Sequence, residues 1–135
     1  MENKNLILII EDDLEIMTLL RQLAELEGYQ TEVILDGAVA MKRLDQARIP
    51  NLILLDLHLP NVEGDVFLRA ARAHPAWTKV PLYIITVDPQ AAQPYQRQQN
   101  GNPRVDGVLV KGDYMVGELP KLLKRYAIPD SAKNE

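Results

Sequence analysis

A small set of side chains in this 135-residue chain has types and positions suited to ionic chemistry. Glu11, Asp12 and Asp13 follow the apolar run "LILII" at residues 6–10, and Asp56 ends "LILLD". Thr86 ends "LYIIT", and Lys111 follows "GVLV". Each sits where an apolar run stops, so folding that aligns the runs would bring carboxylates, a hydroxyl and an ammonium to one rim. Burying a carboxylate such as Asp56 at the end of an apolar stretch is costly unless an opposite charge meets it. Carboxylates ~4 Å apart repel by roughly 4 kcal/mol at an effective dielectric near 20. Without a cation one of them takes a proton. A few oxygen ligands around a hard divalent ion suit Mg²⁺. A phosphoryl group arriving there would meet the metal, the Lys111 ammonium and the Thr86 hydroxyl, with Asp56 as its nucleophile.

The elements that must position these groups are legible as a pattern. Apolar runs at 6–10, 31–35, 52–56, 82–86 and 107–110 are rich in Ile, Leu and Val, as strands of a parallel sheet buried on both faces are. The second alternates more and is expected at an edge. Helical spacing between them covers 13–27 with Gly28 as its stop, and a stretch after Asp36 holding Ala40, Leu44 and Ala47. It also covers "GDVFLRAARAH" from Gly64 to Pro75, and about Gly117 to Ala127 with Pro120 in the first turn. In the Gln-rich segment 88–103, Pro94 is expected as the first residue of a short helix over 94–100, with Gly101 as its stop. The βαβαβαβαβα order predicts an α/β fold with a doubly wound five-stranded parallel sheet, flavodoxin-like, order 2-1-3-4-5, with five helices. Ligands of such sheets bind beyond the carboxyl ends of the strands, where the acids, Thr86 and Lys111 stand.

Composition excludes several classes. The net charge is −4 with scattered Lys and Arg, which gives no electrostatic footprint for nucleic acid. The cluster "KLLKRY" reads as the solvated face of a helix. There is no cysteine, hence no disulfide frame or thiolate metal site. "MENKNLILII" is neither a secretory signal nor long enough to span a bilayer, so the expectation is cytoplasmic with no membrane contact. Each site residue also has an ordinary alternative: helix caps for Asp12 and Asp13, a turn for Asp56, a β-branched strand residue for Thr86, a solvated loop lysine for Lys111. All four would have to hold at four strand ends together.

The motifs "LILIIEDD", "LILLDLHLPNVEG", "LYIIT" and "VLVK" resemble those of bacterial two-component response-regulator receiver domains, chemotaxis-regulator-like. The family pattern is an acidic pair, a phospho-accepting Asp in D-x-x-x-P-x-x-x-G, then Ser/Thr, then Lys; Asp56, Pro60 and Gly64 match the middle motif. The resemblance covers residues 5–127 as one receiver domain, leaving 128–135 as a tail or the start of a linker. It implies that Asp56 accepts a phosphoryl group from a sensor histidine kinase or a histidine phosphotransfer protein, and loses it by hydrolysis without turning over an external substrate. It implies Mg²⁺ at Glu11, Asp12, Asp56 and the backbone carbonyl of His58. Thr86 and Lys111 would contact phosphoryl oxygens, and Asp13 would be a helix cap. The output partner is not named by the sequence, and a homodimer is left open.

The chain departs from the family at Val87, where Ala or Gly is usual, and at Val108, where the switch aromatic stands. It departs again at Gly112, which replaces the cis proline after the lysine and is expected after a trans bond with freedom for positive φ. Tyr114 is not a positional match for the aromatic. These departures concern switching rather than phosphorylation, and support as an alternative a phosphorylation-independent adaptor binding partners through an atypical helix 4–strand 5–helix 5 face. An electron carrier would need a phosphate-cradling turn where "EDDLE" stands. A dehalogenase-type phosphatase would need an acid where His58 stands.

Overall fold

A computed structural model describes residues 5–128; the expected tail over 128–135 lies, apart from Ile128, outside the described residues. Among the described residues are five parallel strands: β1 (Leu6–Ile10), β2 (Gln30–Ile34), β3 (Leu52–Asp56), β4 (Leu82–Thr86) and β5 (Gly107–Val110). They stand in the order β2-β1-β3-β4-β5. The alternating second run is an edge strand as expected, one residue earlier than its apolar pattern suggested.

Five α-helices among the described residues connect and close the sheet: α1 (Leu14–Leu26), α2 (Gly37–Arg43), α3 (Gly64–Ala73), α4 (Pro89–Gln96) and α5 (Tyr114–Tyr126). Side chains alternate across β1. Ile7 and Ile9 join Leu20 of α1 and Met115 of α5 on one face, while Leu8 and Ile10 join Ala40, Phe67 and Ala92 of α2, α3 and α4 on the other. Both faces being covered explains why β1 and β3 are apolar up to their ends, with every residue buried.

Three helix boundaries differ from the sequence expectation. Helix α2 stops at Arg43, short of Ala47. Helix α4 begins at Pro89 rather than Pro94: Asp88 caps it by accepting from Gln90 N, and Pro89 fills the first position, where no N–H is needed. Pro94 lies inside, where its absent N–H orphans only the Gln90 carbonyl of the exposed first turn. The helix is nonetheless short, and three positive-φ residues, Gln98, Asn100 and Gly101, terminate the segment. Helix α5 begins at Tyr114, a turn earlier than expected, so Pro120 is internal and not in the first turn. The buried stripe Met115, Leu119, Leu122 and Leu123 holds that helix together across the proline. Here packing outweighs local propensity.

Candidate functional site

Parallel strands end together, and their register decides which ends meet. Ile10 pairs with Leu55, Asp56 with Ile85, and Thr86 with Val110. Glu11 is thereby carried beside Asp56, and Lys111 beside Thr86, whose carbonyl accepts from Lys111 N at 2.8 Å. Glu11 is fully buried and Asp56 nearly so, while Asp12 is exposed. Glu11, Asp12 and Asp56 each bring a carboxylate oxygen within 4.8 Å of the others. Lys111 Nζ lies 2.5 Å from Glu11 Oε1 and 3.0 Å from Asp56 Oδ2. The contact to Asp56 is a hydrogen bond; that to Glu11 is ionic but poorly aligned, and both Glu11 oxygens lack a hydrogen-bond partner.

One ammonium cannot neutralise this cluster. Burial pushes the Glu11 carboxyl up to about 8, and the neighbouring Asp56 adds to the effect while Lys111 opposes it. Burial also disfavours the Asp56 carboxylate. The neighbouring Glu11 carboxyl and hydrogen bonds from the His58 N–H and Lys111 outweigh that and hold Asp56 below the usual carboxylate range. Burial alone would weaken the Lys111 ammonium, but Glu11 and Asp56 raise it. Burial and the neighbouring Asp56 thus favour the protonated form of Glu11, and the hydrogen bonds at Asp56 favour its ionised form. An orphaned, buried carboxylate beside an ionised one is what a divalent oxygen-binding cation would complete, so the residues fit Mg²⁺.

Around this centre is a cleft of about 490 Å³ lined by Asp12, Asp13, Asp56, His58, Thr86, Val87 and Lys111. Asp13 caps α1, its carboxylate accepting from Glu15 N at 3.0 Å and Ile16 N at 3.2 Å. His58 donates its backbone N–H to Asp56 Oδ1 at 2.9 Å, and its imidazole is 84% exposed, 3.8 Å from Glu63. The ring thus stands largely in solvent at the cleft. Thr86 stands on the cleft wall with its hydroxyl turned to Asp88, donating to the Asp88 carbonyl and accepting from Asp88 N, both at 3.1 Å. Val87 is 76% exposed at the cleft's edge. Gly112 follows a trans bond with φ 127°. Val108 is half-buried against the core and offers no ring.

Two partners escaped sequence reasoning. Asp88 holds the Thr86 hydroxyl through its backbone and caps α4 with its carboxylate; an acid directly before Pro89 was the available signal for the cap. Asp36, beyond capping α2, accepts from Asn61 of the β3–α3 loop, a contact 25 residues apart that no local pattern announces.

A family model for the response regulator receiver domain matches residues 7–113. Among curated proteins, the chain is 38% identical over 80 residues to the phosphate regulon transcriptional regulatory protein PhoB of Rhizobium meliloti, covering 59% of this chain and 35% of that one. It is 40% identical over 68 residues to the transcriptional regulatory protein CpxR of Escherichia coli, covering 50% and 28%. The chain thus spans about a third of the length of these curated relatives. Among solved structures it superposes with TM-score 0.76 and 25% identity on the receiver domain of the sensor histidine kinase PA1611 of Pseudomonas aeruginosa, covering 92% of this chain and 98% of that one. That structure has a magnesium ion coordinated in its active site cleft. The chemotaxis response regulator CheY4 of Vibrio cholerae shares the fold, with TM-score 0.76 and 24% identity over 91% of this chain and 98% of that one.

Proposed function

The chain belongs to the response regulator receiver domains of two-component systems, and from that premise we propose that Asp56 accepts a phosphoryl group in a Mg²⁺-dependent step. The observation that carries this reading is the trio Glu11, Asp12 and Asp56 gathered within 4.8 Å, with Lys111 bridging two of its members. Residues 5–127 form the receiver unit in this reading. The donor is a phosphohistidine on a sensor kinase or histidine phosphotransfer protein, and the contacts are with proteins rather than directly with nucleic acid. Among the described residues no helix is long and apolar enough to cross a membrane.

Glu11, Asp12, Asp56 and the His58 carbonyl would hold the metal. When bound, Mg²⁺ supplies positive charge that offsets the carboxylates and the phosphoryl oxygens. The chain's own residues do the rest. The Asp56 carboxylate, kept ionised by its hydrogen bonds, forms the new O–P bond as the P–N bond of the donor breaks, the electron pair returning to the ring nitrogen. Lys111 Nζ, already beside Asp56 Oδ2, compensates charge on the transferred group. Thr86 reaches a phosphoryl oxygen by leaving Asp88. Such transfer needs positioning and charge neutralisation more than acid–base work.

Acetyl phosphate with Mg²⁺ should add one phosphoryl mass to the intact chain and none to Asp56→Asn. A native chain that gains no mass, or an Asp56→Asn chain that gains it, overturns the reading. Removing the metal with a chelator should abolish the gain.

A further inference from the structure

The loop that joins β3 to α3 carries a backbone outlier. Asn61 has φ 69°, and Val62 N donates to the Pro60 carbonyl at 2.8 Å across it. A positive φ under an i→i+2 hydrogen bond marks a γ-turn of the rare, strained hand. Asn tolerates such φ better than most residues, but a strained turn persists only where its surroundings over-determine it.

The surroundings here come from the other side of the sheet's end. Asp36 Oδ1 accepts from Ala38 N at 2.6 Å and Val39 N at 3.3 Å, capping α2. Its second oxygen accepts from Asn61 Nδ2. Gly37 N donates to the Pro60 carbonyl at 3.1 Å, the same oxygen that closes the γ-turn. Gly37 lies so close to the loop that a Cβ there would fall 1.7 Å from the Val62 carbonyl oxygen. At its other end the loop is shut by Gly64 N donating to the Leu57 carbonyl at 2.8 Å. Between these two fastenings lies His58, whose N–H reaches Asp56 Oδ1.

We propose that Asp36 and Asn61 are positioning residues for the Asp56 site: their side-chain bond clamps the loop tip to the start of α2, and so fixes the peptide at His58 that faces the phospho-acceptor. This rests on the reading of Asp56 and the His58 carbonyl as parts of a metal and phosphoryl site. Neither residue lines the cleft. Their bond sets where the ligating loop stands before metal arrives, as outer-shell partners of ligands do.

The test is a set of variants that spares the helix cap. Asn61→Gly keeps a residue at ease with positive φ and deletes the amide. Asp36→Ser still caps α2 with its hydroxyl, but has no second oxygen to accept from the amide of Asn61. The exchanged pair Asp36→Asn with Asn61→Asp restores one bond with donor and acceptor reversed. Calorimetric titration with Mg²⁺ should show each single variant bound about tenfold more weakly, and the exchanged pair returned to within about threefold of native on the same scale. Amide exchange at His58 in the metal-free protein should quicken in both single variants and slow again in the exchanged pair. Single variants with Mg²⁺ affinity within about twofold of native, well short of the outer-shell effect, overturn the proposal. If the native chain binds no Mg²⁺, the metal assignment falls separately, and the His58 amide decides the clamp: unchanged exchange in Asn61→Gly overturns it, faster exchange supports it.

Discussion

The two ends of the site are built in opposite ways. On the side of β1, β3 and the β3–α3 loop, acids are buried, glycines are hemmed in and backbone groups are locked. Gly64 admits no Cβ, since one would stand 2.4 Å from the Asp56 carbonyl oxygen. On the side that runs from Thr86 through α4 to β5, α4 buries only Ala92, and Val87 is largely exposed. Beyond the packing of Ala92, Tyr95 and Val108 against the core, that side is tied to α3 by polar bonds. Tyr95 Oη donates to Asp65 Oδ1 at 2.6 Å, Arg69 Nη2 to Asn102 Oδ1 at 2.6 Å, and Arg72 Nε to the Arg104 carbonyl at 2.9 Å. A well-packed region has few alternative arrangements, while one held by a handful of half-exposed hydrogen bonds is cheap to rearrange. The difference assigns chemistry to the first side and movement to the second.

The sharpest way to break this comparison is to put a methyl on a glycine of the rigid side. Gly64→Ala should cost about 3 kcal/mol or more in urea unfolding, because the clash is with backbone and cannot be relieved by a rotamer. A loss under about 1 kcal/mol would mean that the loop yields, and the contrast would collapse.

The buried acids give the next effect. The Glu11 carboxyl moves from an ordinary 4.5 to about 8 on folding. Between those values the folded state holds a proton that the unfolded chain has released, so metal-free stability falls as pH rises through that window. Asp56 works the other way: its contribution is present above its ordinary value and is lost as acid protonates the folded form. The expected result is a decline of about 1–3 kcal/mol from about pH 5 to about pH 8 without metal, and a flattened profile with saturating Mg²⁺, which takes the proton's place. Stability that rises over this range in metal-free buffer contradicts the assignment of the proton to Glu11.

A smaller effect probes the looser side. Tyr95→Phe removes the hydroxyl bond to Asp65, at about 1 kcal/mol, and should speed amide exchange across 89–104 while leaving Mg²⁺ affinity as it is. In the native chain, beryllofluoride, an acyl-phosphate mimic, should alter exchange across 87–104 and leave β1 and β3 as they were. Uniform exchange changes over the whole sheet would show that the two sides are not separable.

Last comes Gly117, in the fourth position of α5, where a Cβ would meet nothing within 4 Å. Gly117→Ala should stabilise by about 0.5–1 kcal/mol, through reduced freedom of the unfolded chain and better helix propensity. Destabilisation there would show that the surface of α5 at Gly117 is less open than its surroundings indicate.

How far these features are readable without coordinates follows the same division. Strands β1, β3, β4 and β5 are legible to the residue, because a short apolar run bounded by polar residues and turn formers suits little besides a strand buried on both faces. The acids, Thr86 and Lys111 are legible because each ends or follows such a run, and parallel strands must end together. Helix α4 is misplaced by the sequence pattern because Pro89 and Pro94 are equally good first residues by local chemistry, and the Asp88 cap chooses between them. Helix α5 is shortened because a proline argues for a terminus, whereas four buried side chains around Pro120 keep the helix whole.

By itself, then, the order of residues determined the sheet, its ligand-facing rim and the identity of the charges on it, since these follow from local hydrophobicity and chain direction. Only the tertiary structure decided that Lys111 is shared between Glu11 and Asp56, that burial beside Asp56 pushes the Glu11 carboxyl up, that the Thr86 hydroxyl rests on Asp88, and that Asp36 bonds Asn61. Most of these depend on distances of a few ångströms between groups far apart in the chain. At such range the sign and size of an electrostatic interaction are set by burial and alignment, which no spacing along a sequence encodes.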